Sequence, residues 1–413
     1  MLSEKEKLES ITSLGIELNQ INDLDLLLER ILSKARKWVN ADAGSIYIRE
    51  GKKLNFVYTQ NDTLQSQLSE GEKQIYSTFT IPLDDKSIAG FVALTGQALN
   101  LSNVYSLPPD APYHFSSEAD DVSGYKTHTM LTVPLKTTEG YTLGVLQIIN
   151  AQDDNNEVIA FTKDDEKIMY YFAGIAAIAI DRAKLTRSII MRMIKMTELH
   201  DPMETGAHAN RVGSYSIEIY EKWAHRRKIP WEEIDEKRDI LKMAAMLHDV
   251  GKIAISDKIL KKPGRLTEEE FEIMKQHTIQ GARLFLDKQS KFDEVAGVVA
   301  LNHHERWDGG GRGYPGHVEV KTGEPIAGKT SSNGVAKPKK GEEIPLFGRI
   351  VALADVYDAL SSARCYKKPF DEEKVLRILK EETGRQFDPE LVGILLEIFD
   401  TIKSIRERYA SDN

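Results

Sequence analysis

The chain has 413 residues, 41% hydrophobic and 29% charged, the profile of a soluble globular protein long enough for two or three domains. Its formal net charge of -9 speaks against a general nucleic-acid binder, which would carry a basic footprint. The single cysteine, Cys365, excludes an intramolecular disulfide and fits a reducing compartment.

The N-terminus, Met1-Leu2-Ser3-Glu4-Lys5, is polar and lacks the apolar core of a signal peptide. The most apolar run, residues 172–180, stops at Asp181-Arg182, short of the ~20 residues that a membrane span needs. A cytoplasmic protein without a span is expected.

From about residue 8 to 183, helix-like and strand-like stretches alternate. Leu24, Leu27, Leu28, Ile31, Leu32 and Ala35 recur at helical spacing, with Asp23 or Asp25 as N-cap. Strand-like runs follow at 45–48, 55–58, 130–135 and 143–149, with an apolar helix at 88–94 and a loop near Pro108-Pro109-Asp110. This half holds no cluster of catalytic residue types.

That order resembles a GAF domain, a small-molecule sensor of helices packed on an antiparallel sheet. Asn150, Phe161 and Asp165-Glu166 resemble the Asn-Lys…Phe-x-x-x-Asp-Glu signature of cyclic-nucleotide-binding GAF domains, with Ala151 in place of the Lys. A second reading is local: Asp164, Asp165 and Glu166 favour the N-terminus of the next helix. The resemblance implies a small-molecule ligand of unknown identity.

From Thr162 a helix runs past Asp181-Arg182 into Ile189, Ile190, Met193 and Ile194, with Pro202 as its limit. Its apolar stripe either pairs with the same helix of a second copy, giving a homodimer, or covers the bundle that follows. The sequence thus divides into a sensor domain, 1–183, a linker helix, 184–200, and a helical domain, 201–413. The fold class expected is multidomain α+β: an α/β sensor joined by a long helix to an all-α bundle.

In the last segment Asp201-Pro202 reads as a helix start, Thr267-x-x-Glu270 as a capping box and Asp388-Pro389 as another start. Here lie eight potential metal ligands, Glu204, His208, His248, Asp249, His277, His303, His304 and Asp355, with five of the chain's ten histidines among them. Ligands arriving from several helices suit a bundle whose interior holds more than one metal. His248-Asp249 ends the apolar run 240–247, where buried charge needs a partner, and Asp249 suits a carboxylate shared by two cations. Lys252 lies one turn beyond His248 and faces the same site. Glu204 pairs with His208 at i, i+4, or else completes a capping box with Asp201. Asp355 sits in an apolar helix, with Asp358 as its competitor.

These residues and their neighbours resemble the HD-GYP family of metal-dependent phosphohydrolases. The match rests on Thr205-Gly206-Ala207-His208-Ala209-Asn210-Arg211-Val212, His248-Asp249-Val250-Gly251-Lys252, His303-His304-Glu305-Arg306-Trp307-Asp308, Gly313-Tyr314-Pro315 and Ala354-Asp355-Val356-Tyr357-Asp358. The resemblance implies hydrolysis of cyclic di-GMP to pGpG or GMP by two or three divalent ions, iron or manganese, with zinc as an option. His208, His248, Asp249, His277, His303, His304 and Asp355 are the implied ligands, and Glu204 the ligand of a third metal. Asp249 and Lys252 carry the chemistry, while Lys252, Tyr314, Arg364 and Lys367 contact substrate. A non-catalytic receptor and a hydrolase of another nucleotide are the rival readings.

Three departures stand out. The link from the His-His motif to Gly-Tyr-Pro is longer than usual, and a basic insertion expected to be flexible follows at 316–341, with five Lys against two Glu. Cys365 replaces the Pro of the usual Arg-Pro-Tyr segment.

Overall fold

Asp23 caps the first long helix, α1 (Leu24–Trp38), by accepting the backbone N–H groups of Asp25 and Leu26. The helical repeat of leucines then buries Leu27, Leu28, Ile31, Leu32 and Ala35 on one face. The computed structural model describes residues 13–67, 80–201, 205–310, 312–362 and 370–409. It divides into two units, Met1–Arg187 and Ser188–Asn413.

In the first unit α1 packs against a sheet built of β1 (Ala41–Glu50), β2 (Lys53–Asn61), β3 (Thr80–Pro82), β4 (Leu99–Leu101), β5 (Met130–Lys136), β6 (Thr142–Gln152) and β7 (Val158–Ile159). Every pairing is antiparallel, in the order β3-β2-β1-β6-β5-β4, with β7 beside β6. A second helix, α2 (Ile88–Thr95), is capped by Ser87 and buries Ala89, Val92 and Ala93 against Tyr47 and Val145 of the sheet. The α+β expectation is met: the four strand-like runs fall in β1, β2, β5 and β6, and the short strands β3, β4 and β7 are additional to them.

Asn150 adopts φ +53 and serves the fold. Its Oδ1 accepts the N–H groups of His128 and Thr129, and its Nδ2 donates to Lys126 O and the Tyr125 hydroxyl. Asp165 and Thr162 bond to each other at the start of the next helix. Both observations favour the local reading of this pattern over nucleotide binding.

That next helix, α3 (Lys163–His200), is long and contributes to both units. Phe172, Ala173, Ala176, Ala177 and Ile180 are buried in the first unit, where Phe172 meets Trp38 at 5.6 Å between ring centroids. Tyr171, Ile178, Leu185, Ile189, Met196 and Leu199 are exposed along the same helix.

The second unit is helical: α4 (Gly206–Arg226), α5 (Trp231–Met246), α6 (Glu268–Arg283), α7 (Lys291–Asn302), α8 (Leu346–Ser361), α9 (Glu372–Glu381), α10 (Pro389–Glu397) and α11 (Phe399–Arg408). Its core draws on α4, α5, α7 and α8, through Val212, Tyr215, Leu241, Ala244, Val299, Val351 and Leu353. Thr267 and Glu270 form the expected capping box, and Asp388 caps α10. The cap of α4 is Thr205 rather than Asp201, because its hydroxyl accepts the His208 N–H.

The 316–341 segment is folded, not a structureless loop. Bridges pair Val318 with Pro325 and Thr330 with Ala336, and His317 N–H donates to Lys337 O. These backbone bonds close the segment into two short turns, an order that a basic, glycine-containing stretch does not announce. None of the described helices is long and apolar enough to cross a membrane.

Candidate metal centre

The buried end of α5 delivers the first ligands. Leu241, Ala244, Ala245 and Leu247 anchor it, and His248 and Asp249 follow in the turn before a 3-10 helix, Val250–Ala254. Gly251 lets this turn touch α6: a Cβ there would lie 2.0 Å from His277 O and 2.3 Å from Gly281 N. Backbone contact of this kind requires glycine, and it brings Asp249 alongside His277. The C-terminal turn of α7 adds His303 and His304, α4 adds His208, and α8 adds Asp355.

These side chains form two groups, Asp249 with His277, His303 and His304, and His208 with His248 and Asp355; within each, the ligand atoms lie within 4.8 Å of one another. Asp249 faces both. Its Oδ1 is 3.1 Å from His277 Nε2 and 3.3 Å from His303 Nε2, whereas its Oδ2 is 3.4 Å from His248 Nε2. Asp355 Oδ1 lies 3.6 Å from His208 Nε2 and 3.9 Å from His248 Nε2.

The far sides of the rings decide their chemistry. His248 Nδ1 meets Ala245 O at 2.8 Å, His277 Nδ1 meets Met274 O at 2.7 Å, and His303 Nδ1 meets Ala300 O at 3.0 Å. A carbonyl only accepts, so each Nδ1 carries the proton and each Nε2 turns a lone pair inward. His277 Nε2, His303 Nε2 and Asp249 Oδ1 are buried without a hydrogen-bond partner. Converging lone pairs repel one another unless a cation sits among them, so this donor set fits divalent metal, with mixed nitrogen and oxygen ligation.

Asp358 does not compete with Asp355. It accepts from His208 Nδ1 at 2.8 Å and from Arg211 Nε and Nη2 at 2.6 and 2.9 Å. Burial pushes its carboxyl up, but His208 and Arg211 outweigh that and hold it well below the usual range. Burial likewise opposes Asp249, where the Lys252 ammonium prevails and keeps the carboxylate ionised. Burial holds His303 and His304 below the ordinary histidine value, which keeps them neutral, as ligands must be.

Lys252 Nζ lies 2.8 Å from Asp249 Oδ2 and 3.4 Å from Asp201 Oδ2. Tyr314 stacks on His304 with ring centroids 4.7 Å apart, so the longer link still brings this ring to the centre. Glu204, Arg364 and Lys367 lie outside the described residues. Asp201 and Arg211 were not anticipated in the site, and Asp358, expected as a rival ligand to Asp355, instead orients His208. The signal for Arg211 and Asp358 was their place, each three residues beyond a candidate ligand on a buried helix.

Fold and site together define an α/β domain followed in sequence by a helical domain whose core holds two candidate groups of metal ligands. The family model of the GAF domain matches residues 23–180, and that of the HD domain matches residues 205–360. The chain therefore carries a GAF domain followed by an HD domain. Among curated relatives, the cyclic di-GMP phosphodiesterase response regulator RpfG of Xanthomonas campestris is 44% identical over 39% of this chain and 37% of its own length. A cyclic di-GMP phosphodiesterase of Thermotoga maritima is 36% identical over 53% of this chain and 51% of its own. The 3′3′-cGAMP-specific phosphodiesterase 2 of Vibrio cholerae is 35% identical over 55% of this chain and 37% of its own. The chain thus spans between 37% and 51% of the length of these relatives.

Proposed function

We propose that this chain is a metal-dependent phosphodiesterase that hydrolyses cyclic di-GMP, with its GAF domain as regulator. The observation that carries this reading is the position of Asp249, with one carboxylate oxygen turned to each of two adjoining ligand groups. Relatives named as cyclic di-GMP phosphodiesterases supply the substrate class.

His208, His248 and Asp355 would hold one divalent ion, and His277, His303 and His304 a second, with Asp249 between them. Glu204 is assigned to a third. Imidazole mixed with carboxylate suits iron or manganese and accommodates zinc. Bound there, the metals supply a water of lowered pKa and take up negative charge on the phosphoryl oxygens.

The protein's own groups do the rest. Asp249, held ionised, keeps the two groups in register. Lys252 faces the same carboxylate and lends positive charge to a nonbridging phosphate oxygen. Tyr314, stacked on His304, walls the site, and Arg364 and Lys367 grip the second phosphate or a guanine edge. Water attacks phosphorus as the bond to the 3′-oxygen breaks. That oxygen leaves as a hydroxyl, the phosphate stays on the 5′ side, and the product is pGpG; a second cut gives GMP.

The test is to incubate anaerobically purified, metal-quantified protein with cyclic di-GMP and follow products by chromatography. Formation of pGpG or GMP is expected. Loaded protein that binds the dinucleotide and leaves it intact is a receptor instead. The relative named for 3′3′-cGAMP makes that dinucleotide the second substrate to try. Asp249→Ala should abolish turnover and lower metal content, and activity retained in that variant sinks the assignment of the shared ligand.

A further inference from the structure

Residues 316–341 lie outside both ligand groups, yet the two ends of this segment meet one side chain. The Gly316 N–H donates to Glu305 Oε1 at 2.6 Å, and Lys339 Nζ lies 3.8 Å from the same oxygen. Lys339 also donates to Asn302 Oδ1 at 2.5 Å. Asn302 ends α7, and Glu305 follows His303 and His304 directly. Both acceptors therefore flank the turn that carries two candidate ligands. The Glu305 side chain is 0% exposed and that of Lys339 12%. A lysine from a basic surface segment is seldom buried unless it has partners of this kind.

Between these ends the segment is tied to its surroundings at further points. Arg283 Nε, at the end of the helix bearing His277, donates to Val320 O at 2.9 Å. Lys329 Nζ reaches Glu343 Oε1 at 3.0 Å. Tyr314 stands two residues before Gly316, with its ring on His304 and its N–H donating to His304 O at 3.2 Å. A long insertion placed directly after Tyr314 would leave that ring loosely held if its ends were free.

We propose that Glu305 and Lys339 are positioning residues: the pair closes the 316–341 segment onto the turn of His303 and His304 and so fixes Tyr314 on His304. This deepens the phosphodiesterase reading and rests on it for the kinetic readout alone.

Hydrogen exchange of the full chain reads the closure without substrate. In Lys339→Met the amides of Gly316, His317 and Lys337 should exchange about ten-fold faster, while those of α6 and α7 keep their protection. Lys339→Arg should retain most of the protection. With cyclic di-GMP, Lys339→Met should raise KM about ten-fold with kcat and bound metal little changed, and Lys339→Arg should restore it. Glu305→Gln keeps an acceptor for Gly316 and should match Lys339→Met, with the double variant no worse than either. Unchanged exchange in Lys339→Met overturns the proposal. So does loss of bound metal at constant KM, which marks a purely structural support of the ligand turn. If wild type leaves cyclic di-GMP intact, the phosphodiesterase reading falls and the exchange data alone decide on the closure.

Discussion

Asp358 accepts the Nδ1–H of His208 at 2.8 Å, and the opposite nitrogen of that ring faces Asp355 at 3.6 Å. Arg211 holds both oxygens of Asp358 from the other side. The carboxylate therefore sets the tautomer and the direction of a candidate ligand, His208, from outside the group of ligand atoms. Such outer partners typically contribute ~10–100-fold to metal affinity. Asp358→Asn, which turns an amide toward either His208 or Arg211, should weaken metal binding by about that factor while leaving helix content intact. Chelator competition measures it, and unchanged affinity would remove the orienting role.

Burial keeps His303 and His304 below the ordinary histidine value in the folded chain. The unfolded chain takes up these protons near pH ~6.5, so below that pH it binds more protons than the native state. Stability of metal-free protein should therefore be greatest above pH ~6.5 and fall as pH drops through it. The depressed carboxyl of Asp358 adds a second, lower window: its contribution is present above pH ~4 and is lost on further acidification. A thermal midpoint that rises as metal-free protein is taken from pH ~7 to ~5.5 would contradict this assignment of protonation states.

Tyr171, Ile178 and Leu185 recur every seven residues on α3 and are exposed, as are Ile189, Met196 and Leu199 further on. A seven-residue apolar repeat suits a left-handed seam with a second helix. We infer a homodimer through this helix. Leu185→Glu should then convert the protein to a monomer in sedimentation equilibrium, with circular dichroism unchanged. A monomeric wild type at micromolar concentration would refute the seam.

The sequence made the ligands legible because adjacent ionisable residues, His248 with Asp249 and His303 with His304, stand at the ends of apolar runs where solvent cannot satisfy them. The first domain was legible for a related reason, since Leu27, Leu28 and Ile31 on α1 follow the helical repeat and β5 and β6 are nearly continuous buried runs. What stayed hidden depends on tertiary partners. Asp358 looked like a rival of Asp355 because one helix turn separates them, and only α4, bringing His208 and Arg211, gives them different tasks. Lys339 looked like one more surface lysine, and its burial follows from Glu305 and Asn302, more than thirty positions earlier. Glycine and lysine in 316–341 signal a loop, while the bonds that order it are backbone pairings indifferent to side-chain type.

Gly251 ties the metal centre to backbone packing. A methyl group there would lie 2.0 Å from His277 O and 2.8 Å from Gly281 Cα, and neither is the flexible end of a side chain. Gly251→Ala must therefore push the turn of His248 and Asp249 away from α6. Overpacking of this kind costs about 1–3 kcal/mol. The larger consequence is geometric, because Asp249 Oδ1 stands only 3.1 Å from His277 Nε2 and a shift of ~1 Å separates ligands that a metal needs together. The expected result is a lower thermal midpoint in metal-free protein, and a loss of bound metal and turnover out of proportion to it. A variant that is destabilised yet binds metal like wild type would show that the ligand group tolerates movement of this turn.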